Sequence, residues 1–344
     1  MINKNIGRFL SLAIECLLIL SLFGSFIAAA ESEASEDTIT ITDLEGIDVD
    51  IPSSAERVVV LPSGVARLAY SLDSVDKLVG IGQNCNYPTG LADKTNMGSW
   101  SSPSLEILME QNPDLIIADG HLKIRDQIEA TGVPLVVLGT ASTDDYLYSL
   151  ETLGLILGKE DKANELSQMV IDCRDMIEER TQNLKDEDKV TVFYEWSKPY
   201  FSLSALSSGH ETLEMAGGIN IAAEEPVQCP LLSAEWLVEE NPQVVIRSCY
   251  FKGDRTPSDS QERMEELRDE IIDRPGLSEV DAIKNDQVYV FNSELRSDFG
   301  NIVAVAYFAK WLYPDLFADV NIEAIHANFV NEFYGTELEG TWVL

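Results

Sequence analysis

The sequence contains little of what metal-ion sites and most enzymes need. Its 344 residues include five cysteines and only three histidines, His121, His210 and His326. The cysteine spacings match no zinc motif, and bare Zn²⁺ or Mn²⁺ would need several converging nitrogen, oxygen or sulphur ligands. There is also no P-loop, no G-x-S-x-G or H-E-x-x-H motif and no glycine-rich dinucleotide turn. We therefore expect no catalytic residues, no cofactor and no bare-metal site.

Positive charge is scarce as well. The chain has 24 Lys and Arg against 59 Asp and Glu, a net charge of −35. Without residues 1–30 the balance is 22 against 58, or −36. Such a surface repels nucleic acid and anionic membranes, so we expect no nucleic-acid partner. The charge does not by itself indicate a cationic ligand, because most of these carboxylates are expected to be solvated.

One stretch of the sequence is apolar enough for a membrane. Residues 9–30 follow Lys4 and Arg8 and end in three alanines before Glu31. A basic start, an apolar middle and a small-residue end are typical of a signal peptide. We therefore predict that residues 1–30 direct export to the periplasm, the cell surface or the outer face of the cytoplasmic membrane. Retention of this segment as a membrane anchor is the alternative.

Neighbouring residues refine the export prediction. Glu15 in the middle of the apolar stretch disfavours a stable span, and a lipoprotein site at Cys16 is disfavoured because a small residue does not precede it. Residues 31–37 are acidic and small, which predicts a disordered linker. In an exported protein a disulfide between Cys229 and Cys249 remains open.

A 14-residue phrase occurs twice in the chain. Residues 104–117 read SLEILMEQNPDLII and residues 233–246 read SAEWLVEENPQVVI, with seven identical positions. In each copy a serine caps a short helix and a glutamate lies near the positive end of its dipole. Asn-Pro then ends the helix, and an apolar run predicts a buried strand. The repeat indicates two lobes built on one plan, although any helix–turn–strand unit could read similarly.

Short apolar strands alternate with helices in residues 38–158. A hairpin is predicted around Glu45-Gly46, and the pattern after it is typical of a parallel sheet covered on both faces. The predicted strands are 58–61, 78–81, 115–118 and 135–138.

Residues 159–188 have helical periodicity, and residues 159–184 would form one helix of about 39 Å. A second α/β region follows at 189–344. We predict an α/β protein with two Rossmann-like lobes joined by this long backbone helix. The predicted strands of the second lobe are 190–194, 200–203, 244–247 and 288–291.

Collinear segments resemble one known family. They are ITDLEGIDVDIP, AERVVVLPS, DKLVGIG, NPDLII, TGVPLVVL, MAGGIN, SAEWL and LSEVDAIKNDQVY. From about residue 38 to 340 the chain resembles substrate-binding proteins of ABC importers for iron–siderophore, haem and vitamin B12. The resemblance implies a monomer without enzymatic activity, a cleft between two lobes for a metal chelate, and a membrane permease–ATPase complex as partner.

Candidate ligand-binding residues follow the predicted strands, because ligands of open α/β sheets bind beyond the carboxyl ends of the strands. Aromatic rings could wall a flat ligand, arginines could pair with its acid groups, and His121 could be an axial ligand of haem or cobalt. Each has an alternative: packing under its loop, a salt bridge with an acidic neighbour, or an ordinary hydrogen bond. The predicted residues are Ser63, Tyr87, Trp100, His121, Trp196, Tyr200, Arg247, Tyr250 and Arg296.

The resemblance also gives the repeated phrase a role. In that family one surface glutamate on each lobe docks onto arginines of the permease, and by motif position these are Glu106 and Glu235. The alternative is that both are ordinary first-turn helix residues. An enzyme or metallochaperone on a nitrogenase-like two-lobed scaffold, and a ligand sensor without transport, remain alternative functions. The sequence does not distinguish iron–siderophore, haem and corrinoid ligands.

Overall fold

Two parallel sheets organise the chain. The computed structural model describes residues 38–344 apart from residues 84, 86 and 251–259, so the predicted signal peptide and linker lie outside the described residues. The strands are β1 (Thr38–Thr42), β2 (Asp48–Pro52), β3 (Val58–Val60), β4 (Leu78–Ile81), β5 (Thr95–Asn96), β6 (Gly98–Ser99), β7 (Ser102–Pro103), β8 (Leu115–Ala118), β9 (Leu135–Val137), β10 (Thr191–Glu195), β11 (Ile219–Asn220), β12 (Val244–Cys249) and β13 (Val288–Asn292). The helices are α1 (Ser63–Ser71), α2 (Leu105–Glu110), α3 (Arg125–Glu129), α4 (Thr143–Leu157), α5 (Glu160–Thr181), α6 (Ser208–Met215), α7 (Ala234–Glu240), α8 (Ser260–Ile272), α9 (Asp281–Lys284), α10 (Ile302–Leu312) and α11 (Ile322–Tyr334).

The first sheet has the order β5-β4-β3-β8-β9, and each adjacent pair is parallel. Strands β3 and β8 are buried along their whole length. Their runs of Val, Leu and Ile are what a sheet covered on both faces requires. The four strands predicted from the apolar runs of this lobe, and the hairpin formed by β1 and β2, are confirmed.

The second sheet has the order β11-β10-β12-β13, again parallel. The prediction of a strand at 200–203 is wrong. Tyr200 has a left-handed φ of 60°, the Trp196 N–H donates to the carbonyl of Phe201, and the segment makes a single antiparallel bridge from Phe201 to Leu231. The chain turns back on itself where the sequence pattern indicated extended backbone. The two-residue strand β11 was too short to be visible in that pattern.

Both copies of the repeated phrase fold as predicted. The Ser104 hydroxyl accepts from the Ile107 N–H at 3.4 Å at the start of α2, and the Ser233 hydroxyl accepts from the Trp236 N–H at 3.2 Å at the start of α7. After each helix the asparagine is left-handed, with φ of 48° at Asn112 and 43° at Asn241. Asparagine tolerates this conformation better than most residues, and it turns the chain into β8 or β12.

One long helix lies between the two sheets in sequence. Helix α4 ends at Gly158, which is left-handed with φ of 69°. Helix α5 then continues for 22 residues, about 33 Å, and is shorter than the predicted range 159–188. Its buried stripe includes Leu166, Val170 and Ile177, in agreement with the helical periodicity of this segment. No helix in the described ranges is long and apolar enough to cross a bilayer.

A buried ion pair joins the two lobes. Arg67 on α1 is 8% exposed. Its Nε lies 2.9 Å from Oδ1 of Asp298, and its Nη1 lies 2.9 Å from Oε2 of Glu294, both in the second lobe. The Tyr334 hydroxyl also donates to Asp298 at 2.8 Å. Desolvating one of these charges without its partner would be costly, so the pair fixes the position of α1 against the second lobe.

The last helix packs on both lobes. The ring of Tyr334 at the end of α11 makes edge contacts with Tyr70 and Tyr87 of the first lobe, at 5.9 and 5.4 Å between centroids. The tail beyond it returns to the second sheet, where Leu344 and Val290 exchange backbone hydrogen bonds at 2.8 and 3.0 Å. The predicted second lobe, 189–344, thus contains a helix that also stabilises the first.

The raised pKa of Asp298 should make the stability of the protein depend on pH. Burial raises the pKa of this carboxyl to about 6 from 3.8, against the opposing effect of Arg67. Because the folded pKa is the higher one, proton binding stabilises the fold below the unfolded pKa, and this contribution is lost as pH rises through about 6. Relative to Asp298→Asn, the wild-type free energy of unfolding should fall by on the order of 1–3 kcal/mol between pH 4 and 7.

Urea denaturation of both proteins at each pH measures this difference, and equal m-values serve as the control that both unfold over the same surface. The prediction would be contradicted if the free energy of unfolding of wild type, relative to that of Asp298→Asn, increased as pH rises. Attraction to Arg67 would then outweigh the cost of burying the Asp298 carboxylate.

Candidate ligand-binding cleft

A cavity of about 310 Å³ lies between the two lobes, near the carboxyl ends of strands of both sheets. Helix α1 and the segment after β9 supply one wall, and loops of the second lobe supply the other. Ser63, Trp196, Tyr250 and Arg296, all predicted from the sequence, are among the lining residues. The lining comprises Ser63, Gly64, Arg67, Thr140, Ala141, Trp196, Ser208, Ser248, Tyr250, Ser293, Arg296 and Ser297.

Trp196 and Tyr250 form an aromatic wall of this cavity. The Trp196 indole N–H donates to the Tyr250 hydroxyl, and the two rings meet edge-to-face with centroids 6.1 Å apart. Trp196 also stacks on Phe201 at 5.6 Å with a 17° interplanar angle. Tyr250 is 48% exposed, so its ring is accessible from the cavity.

Arg296 is the unusual charge of the cavity. It ends a 3₁₀ turn, Ser293–Arg296, and its guanidinium donates to the Tyr194 hydroxyl at 3.3 Å and the Ser208 hydroxyl at 3.2 Å. Its Nε is buried and has no hydrogen-bond partner among the described residues. Burial acts to lower the pKa of Arg296, but the Tyr194 phenol raises it above its ordinary value. Within the described ranges of the chain, Arg296 makes no ion pair with a carboxylate.

Hydroxyl groups make up much of the remaining lining, and of these only Ser63 is among the predicted ligand-binding residues. Ser248 is buried, and its hydroxyl has no hydrogen-bond partner in the described part of the chain. Hydroxyls and a guanidinium together suit an oxygen-rich anion, because both can donate hydrogen bonds to it. Serines near the ends of the predicted strands were the feature of the sequence that could have indicated this set of hydroxyls. The hydroxyl-bearing residues besides Tyr250 are Ser63, Thr140, Ser208, Ser248, Ser293 and Ser297.

A buried charge network lies behind the aromatic wall. Glu195, fully buried, accepts two hydrogen bonds from Arg274, at 2.5 and 2.8 Å, and one from the Tyr200 N–H at 2.8 Å. Arg247 Nη1 lies 3.4 Å from Glu195. Arg247 is 5% exposed and does not line the cavity, and a role for it in ligand binding stays a prediction. The Arg274 guanidinium lies over the Tyr200 ring, with its carbon 4.9 Å from the ring centroid. Sequence reasoning missed Glu195 and Arg274.

The structure does not bring the other predicted ligand residues into this cavity. Tyr87 packs against Tyr334 and Trp342. Trp100 is 42% exposed and makes an edge contact with His121 at 6.3 Å. The His121 side chain is 84% exposed and its Nδ1 lies 2.7 Å from Asp119. A role in ligand binding for Tyr87, Trp100 and His121 stays a prediction.

Glu106 and Glu235 both lie exposed in the first turn of their helices. The backbone N–H of Glu235 and the hydroxyl of Ser233 lower the pKa of the Glu235 carboxyl. In the part of the chain that the structure describes, neither glutamate forms an ion pair. Both carboxylates are thus available at the surface, one on each lobe, and docking by them stays a prediction.

Metal-ligating residues do not cluster. Among the described residues, no group of three or more His, Cys, Asp or Glu could hold a metal ion. Cys229 is a free thiol, so the disulfide left open between it and Cys249 is not formed. Burial raises the pKa of the Cys85 thiol to about 11, which leaves it protonated and a poor ligand at neutral pH.

Known proteins have sequences similar to that of this chain. Among relatives is the uncharacterised ABC transporter substrate-binding lipoprotein YvrC of Bacillus subtilis (strain 168), 26% identical over 306 residues, which cover 84% of this chain and 91% of that protein. The vitamin B12-binding protein of Yersinia pestis (strain Pestoides F) is 26% identical over 198 residues, 57% of this chain and 70% of that protein.

A solved structure and a family model agree with these relatives. The TroA-like periplasmic binding protein FepB from Veillonella parvula superimposes with a TM-score of 0.77 at 23% identity, over 89% of this chain and 99% of that one, and so shows the two-lobed fold. The model of the periplasmic binding protein family matches residues 58–295. The chain therefore belongs to the periplasmic binding protein family, as the sequence resemblance predicted.

Proposed function

We propose that this protein captures an anionic metal chelate outside the cytoplasmic membrane and delivers it to an ABC importer, without catalysing a reaction. The observation that carries the proposal is Arg296. The chain has a net charge of −35, yet this guanidinium lines the inter-lobe cavity and donates hydrogen bonds to two hydroxyls. Among the residues that the structure describes, no carboxylate pairs with it. A positive group kept unneutralised beside a cavity is suited to bind an anion from solution.

The rest of the cavity supports a chelate as the ligand. Trp196 and Tyr250 offer large, rigid apolar surfaces for a flat ligand, and the hydroxyls offer hydrogen bonds to its oxygens. The volume of about 310 Å³ lies at the lower end of the range of small-molecule pockets. It therefore favours a compact chelate, such as an iron–siderophore, over a whole haem or corrinoid.

Delivery to a permease is supported by the repeated phrase. It places one exposed glutamate in a capped first turn on each lobe, Glu106 on α2 and Glu235 on α7. Two carboxylates presented on equivalent elements suit a partner that offers two arginine-bearing surfaces. A sensor or an enzyme on the same scaffold would not require this duplication.

Loss of the Arg296 charge should weaken chelate binding. In Arg296→Gln, the charge-assisted hydrogen bonds to the anion are lost, which are worth about 1.5–3 kcal/mol. We expect the Kd for a ferric siderophore to rise about 10- to 150-fold. Titration monitored by tryptophan fluorescence measures it.

The matched control is Arg263→Gln, which removes an equal charge from the exposed surface of α8. It should leave the Kd unchanged. Equal affinities for wild type and Arg296→Gln would refute the role of Arg296, and equal losses in both variants would mean that overall charge matters instead of this site.

Charge reversal at both docking glutamates should uncouple transport from binding. In Glu106→Lys/Glu235→Lys the contact with permease arginines becomes repulsive, so uptake of radiolabelled ferric chelate by cells should be abolished while the Kd of the purified protein stays the same.

The control is Glu129→Lys/Glu262→Lys, which reverses the charge of one exposed glutamate on another helix of each lobe, α3 and α8. This variant should transport normally. Loss of chelate affinity in the Glu106/Glu235 variant, or normal uptake by it, would exclude the docking assignment.

A further inference from the structure

We propose that Glu195 is a positioning residue: its buried carboxylate fixes residues 196–200 in the conformation that presents Trp196 to the ligand. The inference deepens the proposed ligand-binding function and rests on it for the effect on affinity. Glu195 itself does not line the cavity, so it acts through the loop that follows it.

The carboxylate is buried at a position where it needs dedicated partners. Glu195 ends β10 and is 0% exposed. A carboxylate without compensation would be strongly destabilising there. Arg274, from the segment after α8, provides two hydrogen bonds, and the side chain of Arg274 is itself only 8% exposed. The pairing links two segments that are 79 residues apart in sequence.

The same carboxylate also fixes the loop. Its Oε2 accepts the Tyr200 N–H at 2.8 Å, and Tyr200 has a left-handed φ of 60°. That conformation is unfavourable for a residue other than glycine, so it persists only where surrounding contacts enforce it. The bond to Glu195 and the Arg274 guanidinium over the Tyr200 ring, 4.9 Å from its centroid, provide those contacts.

The fixed loop carries the aromatic wall of the cavity. Because the chain reverses direction at Tyr200, the backbone N–H of Trp196 donates to the backbone carbonyl of Phe201 at 2.7 Å. The Trp196 indole stacks on the Phe201 ring. In this position the indole donates to the Tyr250 hydroxyl. The chain of contacts therefore runs from Arg274 through Glu195 and Tyr200 to Trp196.

The test compares Glu195→Gln and Arg274→Lys with wild type. Glutamine keeps an oxygen for the Tyr200 N–H but loses the charge that pairs with Arg274, and lysine keeps the charge but cannot make the two-pronged contact. The matched control is Arg268→Gln, which removes another ion-paired arginine, the partner of Asp286, from helix α8, the helix that precedes Arg274.

Two readouts separate positioning from stability alone. The first is acrylamide quenching of Trp196 fluorescence in the protein without ligand, isolated by subtracting the signal of the Trp196→Phe counterpart of each variant. The second is the Kd for a ferric catecholate and a ferric hydroxamate. Far-UV circular dichroism confirms that each variant is folded at the temperature used.

We expect Glu195→Gln and Arg274→Lys to raise the Trp196 quenching constant at least two-fold and the Kd at least ten-fold, while Arg268→Gln changes neither. A lower Tm with unchanged quenching would overturn the inference, because Glu195 would then serve stability only. Lost affinity with unchanged quenching would overturn it as well. If neither ferric chelate binds wild type, the proposed ligand fails, and increased quenching in the two variants would still support the positioning role.

Discussion

The arrangement of the two lobes depends on one buried ion pair, between Arg67 and Asp298. A guanidinium and a carboxylate at this depth are tolerated only together, so α1 of the first lobe and residues 294–298 of the second must meet. Tyr334 adds a hydrogen bond to the same carboxylate, which brings the last helix to the joint. Since Arg67 also lines the cavity, the lobes are held together at the site where the ligand is proposed to bind.

Charge is distributed unevenly between the surface and this cleft. Acidic residues dominate the chain, yet among the described residues that line the cavity the charged ones are two arginines. The charge of Arg67 is shared with Asp298 and Glu294, whereas Arg296 has only hydroxyl partners among the described residues. An anion that enters the cleft therefore meets two guanidinium groups. That of Arg67 is already paired with carboxylates, and that of Arg296 can pair with the anion. The acidic exterior repels anions at long range, so recognition relies on contacts within the cleft, where charge interactions with a buried guanidinium are stronger than in bulk water.

The sequence pattern correctly predicted those strands, helix caps and turns that depend only on residues close together in the chain. The runs Val58–Val60 and Leu115–Ala118 are strands because β-branched and aliphatic side chains suit a sheet buried on both faces, and the serine caps and Asn-Pro turns of the repeat need only neighbouring residues. The pairs that shape the site do not. Arg67 and Glu294 are 227 residues apart and Glu195 and Arg274 are 79 apart, so no periodicity shows them. Residues 200–203 resemble a strand, but the contact with Glu195 imposes a turn at Tyr200.

The central claim is that the cleft selects an anionic chelate. Isothermal titration of the wild-type protein with ferric siderophores of similar size and opposite net charge tests it most directly, at several salt concentrations. The account predicts micromolar or tighter binding of the anionic chelate, weakened by salt, and at least ten-fold weaker binding of the cationic one. Equal affinity for both chelates, or binding of free Zn²⁺ with no binding of any chelate, would contradict it.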